Sequence, residues 1–269
     1  MQTLTLKEIQ SVELEILLEF QSICKKNKLR FYLCGGTMLG AARHKGFIPW
    51  DDDVDIMMPR PDYNRLIEAA KNKKLFSHQY CLYAYELGNA EYPFAKLVNM
   101  NSHIVQEYVE DESLSHIWID IMPVDGLPER DEEVSSLYKK MGLIRKIIML
   151  CWAKPGKATS LQKMFGKIIL TPGAKLVGAK NWCLLMNSLA LKNEYNTSKY
   201  VGVLTWGLYG TREKCLREEF DKSVEVEFEG HLMPAVSCWN QYLTNLYGNY
   251  MILPPEDKRK IHALEAWLD

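Results

Sequence analysis

Leu33-Cys34-Gly35-Gly36-Thr37, followed sixteen residues later by Asp53-Val54-Asp55-Ile56, decides how this chain reads. The β-prone run 30–35 ends in a pair of glycines, and Thr37 opens a short helical segment, Met38 to His44. A second apolar run, 53–58, carries two acids two positions apart. Side chains two apart on a strand share a face, so Val54 and Ile56 point to a core and Asp53 and Asp55 point out together. Paired carboxylates are costly unless a cation neutralises them. Hard oxygen donors suit Mg²⁺ or Mn²⁺. A glycine turn feeding a helix N-terminus suits phosphate. A metal beside a phosphate cradle of Gly35, Gly36 and Thr37 is the chemistry of phosphoryl or nucleotidyl transfer.

Outward from this stretch, the chain has 269 residues, 47% of them hydrophobic, enough for one large domain with a substantial core. Its seven cysteines form no Cys-x-x-Cys pair, which reads as free thiols in a reducing compartment. The six histidines lack ligand spacing, so zinc is not expected. No basic-then-apolar leader opens the chain, and no apolar run approaches the roughly 18 residues of a membrane span. A cytoplasmic protein is expected. The net charge of −1 conceals an asymmetry. Residues 134–193 hold eleven Lys or Arg and no acid, against 22 bases and 34 acids elsewhere. Such a segment suggests an anionic surface as partner. No reading motif for nucleic acid accompanies it.

Local signals place the elements. Thr5 and Glu8 form a capping box before an amphipathic helix over 6–26. Residues 62–72 read as a helix after Pro59 and Pro61. Short strands are expected at 79–85, 93–99 and 103–108, and another from His116 to Met122, ended by Pro123, with Asp125-Gly126 a turn. Pro155-Gly156 and Pro172-Gly173 divide the basic segment into short helices. Val224, Val226 and Phe228 alternate with acids, as in a half-buried strand. Residues 238–269 read as two helices broken at Pro254-Pro255.

The run Gly40-Ala41-Ala42-Arg43-His44, then Gly46-Phe47-Ile48-Pro49-Trp50-Asp51-Asp52-Asp53-Val54-Asp55-Ile56, joined to the Gly-Gly-Thr above, resembles the LicD family of the nucleotidyltransferase-fold superfamily. Phe228-Glu229-Gly230, Tyr247-Gly248-Asn249-Tyr250-Met251 and Leu253-Pro254-Pro255 with Lys258-Arg259 are similar to its C-terminal signature, with Asn249 where the family commonly has Asp. The resemblance covers residues 30–125 and 220–260. It implies an α+β fold: a nucleotidyltransferase-like mixed sheet flanked by helices, with a basic helical insertion and C-terminal helices. The expected organisation is a catalytic core (1–130), a basic amphipathic segment (131–200) and a C-terminal part completing the core (201–269).

The fold it implies commonly takes a third acid from a neighbouring strand. Asp120, alone in Trp118-Ile119-Asp120-Ile121, is the expected one, with Asp125 its rival; Asp51 and Asp52 are further candidates. Asp53, Asp55 and Asp120 are thus the expected metal ligands and catalytic acids, with Asp120 able to serve as general base. Lys96, Arg43, His44, Lys258 and Arg259 are candidates for donor phosphate, each also readable as a surface salt bridge or a cap. Bacterial members transfer phosphocholine from CDP-choline to cell-surface glycans, and fukutin-related protein transfers ribitol phosphate from a CDP donor. The resemblance therefore implies CDP-choline as donor and a lipid-linked glycan, such as a teichoic acid precursor, as acceptor. Trp50, Tyr83, Tyr85, Tyr92, Trp118, Trp206 and Tyr209 are candidates for a quaternary-ammonium cage, Trp50 and Trp118 foremost because each adjoins an expected catalytic Asp. The basic middle is expected on an anionic leaflet at the inner face of the membrane, with Trp152, Phe165 and Trp182 at the interface. Another CDP-linked alcohol, a metal-dependent phosphohydrolase and a non-catalytic adaptor are the alternatives.

Overall fold

The computed structural model describes residues 3–72, 75–105, 115–152, 171–259 and 265–269. Helix α1 (Leu6–Asn27) starts at the expected capping box: Thr5 Oγ1 accepts the Glu8 N–H at 3.4 Å and Glu8 Oε2 accepts the Thr5 N–H at 2.7 Å. Its apolar stripe, including Ile16, Leu17 and Phe20, is fully buried.

The main sheet is mixed, with its path β1 (Tyr32–Leu33), β2 (Asp55–Pro59), β6 (Trp118–Leu127), β4 (Ala95–Asn99) and β3 (Tyr80–Tyr83). Among the described residues only β2 and β6 run parallel in it; β4 and β7 (Tyr200–Val203) pair antiparallel with successive stretches of β6. At ten residues β6 is the longest strand, the spine on which β2, β4 and β7 are registered. Val54 and Ile56 are buried as expected. The fold is α+β.

Several elements depart from the sequence expectations. The glycines are not a turn ahead of a helix: α2 spans Gly35–His44, and β1 is only two residues. Gly35 has φ +52°, and a Cβ there would lie 3.1 Å from Asp55 Oδ2. A Cβ on Gly36 would lie 2.8 Å from Asp51 Oδ2. These residues are glycine so that the acids can approach the helix start. Strand β2 runs through Pro59 and helix α3 (Arg60–Asn72) follows at once, with Pro61 in the first turn where its missing N–H costs nothing.

Strand β6 does not end at Pro123, and Asp125-Gly126 is not a turn. Pro123 falls between the stretch paired with β4 and the stretch paired with β7, where no antiparallel partner asks for its N–H. Asp125 is locked by a buried bidentate pair with Arg60, at 2.5 and 2.9 Å. A Cβ on Gly126 would meet Ser198 Oγ at 2.4 Å. Close packing keeps the pair extended.

Part of the basic segment builds the core. Helix α4 (Asp131–Trp152) is continuous and buries Val134, Tyr138, Met141, Ile144, Ile148 and Trp152. Trp152, expected at a membrane interface, instead lies 4.2 Å from Tyr92, ring to ring. Trp182 lies half-buried in the helix Ala179–Ala190; Phe165 and Pro155-Gly156 lie outside the described residues. Pro172 and Gly173 lie within the helical stretch 171–177, and the next helix starts after Gly178.

Beyond it, β9 (Ser223–Phe228) folds back on β10 (His231–Val236), a partner not foreseen, and of its alternating residues only Phe228 is buried. The expected second C-terminal helix is not one. After the helix Trp239–Tyr247 the chain makes a 3₁₀ turn, Glu256–Lys258, and ends in β11 (Glu265–Leu268), paired with β5 (Ser102–Val105). The strand expected at 103–108 is described only through Val105. All seven cysteines are free.

Candidate active site

The start of α2, the loop before β2 and the start of β6 meet at a cavity of about 200 Å³. Gly35, Gly36, Asp53, Asp55 and Asp120 line it. Asp55 and Asp120 are register partners across β2 and β6. Burial foremost, then the charges of Asp53, Asp120 and Asp51, raise the Asp55 carboxyl well above the carboxylate range. Burial also raises Asp120, against the pull of Lys96 and a hydrogen bond from Trp118.

Lys96, on β4 directly opposite Asp120, is buried and ion-paired with Asp120 Oδ1. Its ammonium also lies over three rings: Trp118 at 4.3 Å, Tyr92 at 4.9 Å and Phe94 at 5.1 Å. A face of Trp118 is thus taken by the protein's own cation. Lys96 does not line the cavity; it braces Asp120 from behind.

Thr37 is buried, and its Oγ1 accepts the Asp55 N–H at 2.8 Å, so it fixes the strand start instead of facing the cavity. The Gly35 N–H donates to the Tyr242 hydroxyl at 3.3 Å. Gln10 ties down the acidic loop by donating to Asp51 O at 2.7 Å.

The remaining candidates cluster at the far end of α2, roughly 12 Å along the helix. Arg43 donates to His44 Nε2 at 2.9 Å and to Tyr250 O at 3.0 Å. Arg259 lies over Trp50 at 4.7 Å, and Lys258 belongs to the adjoining 3₁₀ turn. None of Arg43, His44, Trp50 and Arg259 lines the cavity. Glu229, from the β9–β10 turn, accepts the Phe47 N–H at 2.9 Å and so pins the loop between the two clusters.

Two acids here were not foreseen. Glu13 on α1 is buried, its Oε2 has no hydrogen-bond partner among the described residues, and burial with the charges of Asp53, Asp52, Asp51 and Asp120 raises its carboxyl well above the usual range. An acid on an otherwise apolar helical stripe was the signal. Glu213 lines the cavity's other wall with Trp206, Tyr209, Tyr242 and Tyr247. The acids fit a divalent cation by donor type, and Asp55 also by the repulsion of its neighbouring carboxylates. No group of three His, Cys, Asp or Glu side chains among the described residues closes on one point, Asp120 being engaged by Lys96.

The chain is 30% identical over 273 residues, 98% of its own length and 98% of the relative's, to the lipopolysaccharide cholinephosphotransferase LicD of Haemophilus influenzae (strain ATCC 51907 / DSM 11121 / KW20 / Rd). It belongs to the LicD family. The family domain described as LicD/FKTN/FKRP, nucleotidyltransferase domain, matches residues 28–137, a range that carries the glycines and all three cavity aspartates. An uncharacterized protein of Rickettsia prowazekii (strain Madrid E) is 38% identical over 48 residues, 18% of each chain. A similar protein of Rickettsia typhi (strain ATCC VR-144 / Wilmington) matches to the same extent of this chain. The LicD domain therefore ends early in α4, and the rings and Glu213 of the opposite wall lie outside it.

Proposed function

We propose that this protein transfers phosphocholine from CDP-choline to a sugar hydroxyl of a cell-surface glycan, releasing CMP. The observation that carries this reading is the full-length similarity to a cholinephosphotransferase, joined to a cavity whose wall holds three aspartates beside a helix start. Asp53, Asp55 and Asp120 would hold Mg²⁺ or Mn²⁺, which supplies positive charge opposite the transferring phosphoryl group. The first-turn N–H groups of α2 receive phosphate oxygens. Lys96 holds Asp120 in place, and Asp120 takes the proton of the attacking hydroxyl. That oxygen bonds to the phosphorus bearing choline, the bond from phosphorus to the CMP oxygen breaks, and CMP leaves. The acceptor is a lipid-linked glycan. The relative's name points to lipopolysaccharide, and the wider family expectation to a teichoic acid precursor.

Such an acceptor places the enzyme at the cytoplasmic face of a membrane. No helix of the described residues is long and apolar enough to cross one. Exposed Leu143, Met149, Leu176 and Leu184 alternate along the middle helices with exposed Lys139, Lys140, Lys146 and Lys175, a composition suited to an anionic leaflet. The test of the reaction is to incubate the protein with Mg²⁺, choline-labelled CDP-choline and lipid-linked glycan. Label on the glycan is expected; label recovered only as free phosphocholine would mean a hydrolase.

A further inference from the structure

The cavity has two unlike ends. One is built of carboxylates and the start of α2. The other is built of rings: Trp206 and Tyr209 from the loop after β7, and Tyr242 and Tyr247 from the helix Trp239–Tyr247. Tyr209 and Tyr247 meet edge to face with centroids 5.2 Å apart. Trp206, Tyr209 and Tyr247 are only half-buried, so the rings are not sealed in the core.

Glu213 stands among these rings, 6% exposed, accepting the Tyr209 N–H at 3.4 Å. Burial pushes its carboxyl up to about 7, against the pull of Arg145 and Arg212. Both guanidiniums are engaged with backbone: Arg145 donates to Gly207 O at 3.1 Å and Arg212 to Leu246 O at 3.0 Å. They lie over Trp206 and Tyr209, at 5.7 and 5.2 Å, but neither lines the cavity. No Lys, Arg or His is among the described residues of the cavity wall. Gly207 keeps this loop tight: a Cβ there would stand 2.1 Å from Val203 O and 3.3 Å from Glu213 Cγ.

Ring faces with one buried carboxylate recognise a cation that has no N–H to donate. Trp50 and Trp118 do not offer this, since neither reaches the cavity. We propose that Trp206, Tyr209, Tyr247 and Glu213 form the subsite that takes the quaternary ammonium of the donor and selects choline over uncharged alcohols. The proposal rests on the phosphocholine reading and adds to it the residues that choose the alcohol.

Calorimetric titration of the full chain in Mg²⁺ with CDP-choline, CDP-ribitol and CMP tests it. Wild type is expected to prefer CDP-choline over CDP-ribitol. Trp206→Leu and Glu213→Gln should each weaken CDP-choline roughly tenfold while leaving CDP-ribitol and CMP unchanged, and Trp206→Phe should restore most of the loss. Equal affinities in wild type would overturn the phosphocholine reading and the subsite together. A wild-type preference retained by both variants would overturn the subsite and leave the reading intact. If Trp206→Leu fails to fold, the near-isosteric Glu213→Gln decides.

Discussion

Asp55 and Asp120 are register partners across the parallel strands β2 and β6, so two carboxylates from distant parts of the sequence lie side by side. Lys96, opposite Asp120 on β4, compensates one of them. Asp55 keeps the repulsion of Asp53 and Asp51. That imbalance is what a bound cation would relieve.

Asp53→Asn and Asp55→Asn are therefore predicted to abolish transfer without loss of fold. Near wild-type turnover of either variant at saturating Mg²⁺ would remove the metal assignment.

The same repulsion gives a pH dependence. The folded-state affinity of Asp55 for a proton is raised, so the unfolded chain releases that proton first, near pH 4. Without divalent ions, thermal stability should fall as pH rises above about 4. Asp55→Asn or added Mg²⁺ should flatten the fall. A melting curve series in chelator that shows no difference between wild type and Asp55→Asn would contradict this.

Asp120 and Asp125 should separate by activity. Asp120→Asn is predicted to abolish turnover and also to lower the melting temperature, because it leaves the buried Lys96 without its carboxylate. Asp125→Asn strands Arg60 in the core and should cost about 3–5 kcal/mol in denaturant titration. An Asp125→Asn protein that is stable but inactive would make Asp125 the functional acid.

The glycine pair, the Asp-x-Asp pair and Asp120 were legible because each breaks an otherwise apolar or regular local pattern. The capping box of α1 and the burial of Val54 and Ile56 were legible for the same reason. The continuation of β6 was not: Pro123 and Asp125-Gly126 look like a strand end until Arg60 and Ser198 are placed against them. Trp152 looked interfacial because its neighbours in sequence are basic, while its partners, Tyr92 and Trp206, lie far away along the chain. Glu213 had no local signal, since its burial comes from helices contributed by other parts of the chain.

Gly35→Ala should be strained twice, by the left-handed φ of +52° and by contact with Asp55. A loss of about 1–2 kcal/mol in stability is expected, with a larger loss of activity. Wild-type behaviour would mean that the helix start moves freely relative to the acids.

For the membrane face, the protein is predicted to sediment with anionic liposomes and to be released by high salt. Lys139→Gln, Lys140→Gln and Lys146→Gln together should weaken binding and spare activity on a soluble acceptor. Arg145 is not included, because it holds Gly207 beside the proposed site. Equal binding to neutral vesicles at low salt would remove the membrane proposal.

The most direct test of the central claim is CMP release from a panel of CDP-alcohols in Mg²⁺, with and without lipid-linked glycan. The account predicts glycan-dependent release from CDP-choline, little from CDP-ribitol, and none from either with Asp55→Asn. Glycan-independent release, or equal use of CDP-choline and CDP-ribitol, would contradict it.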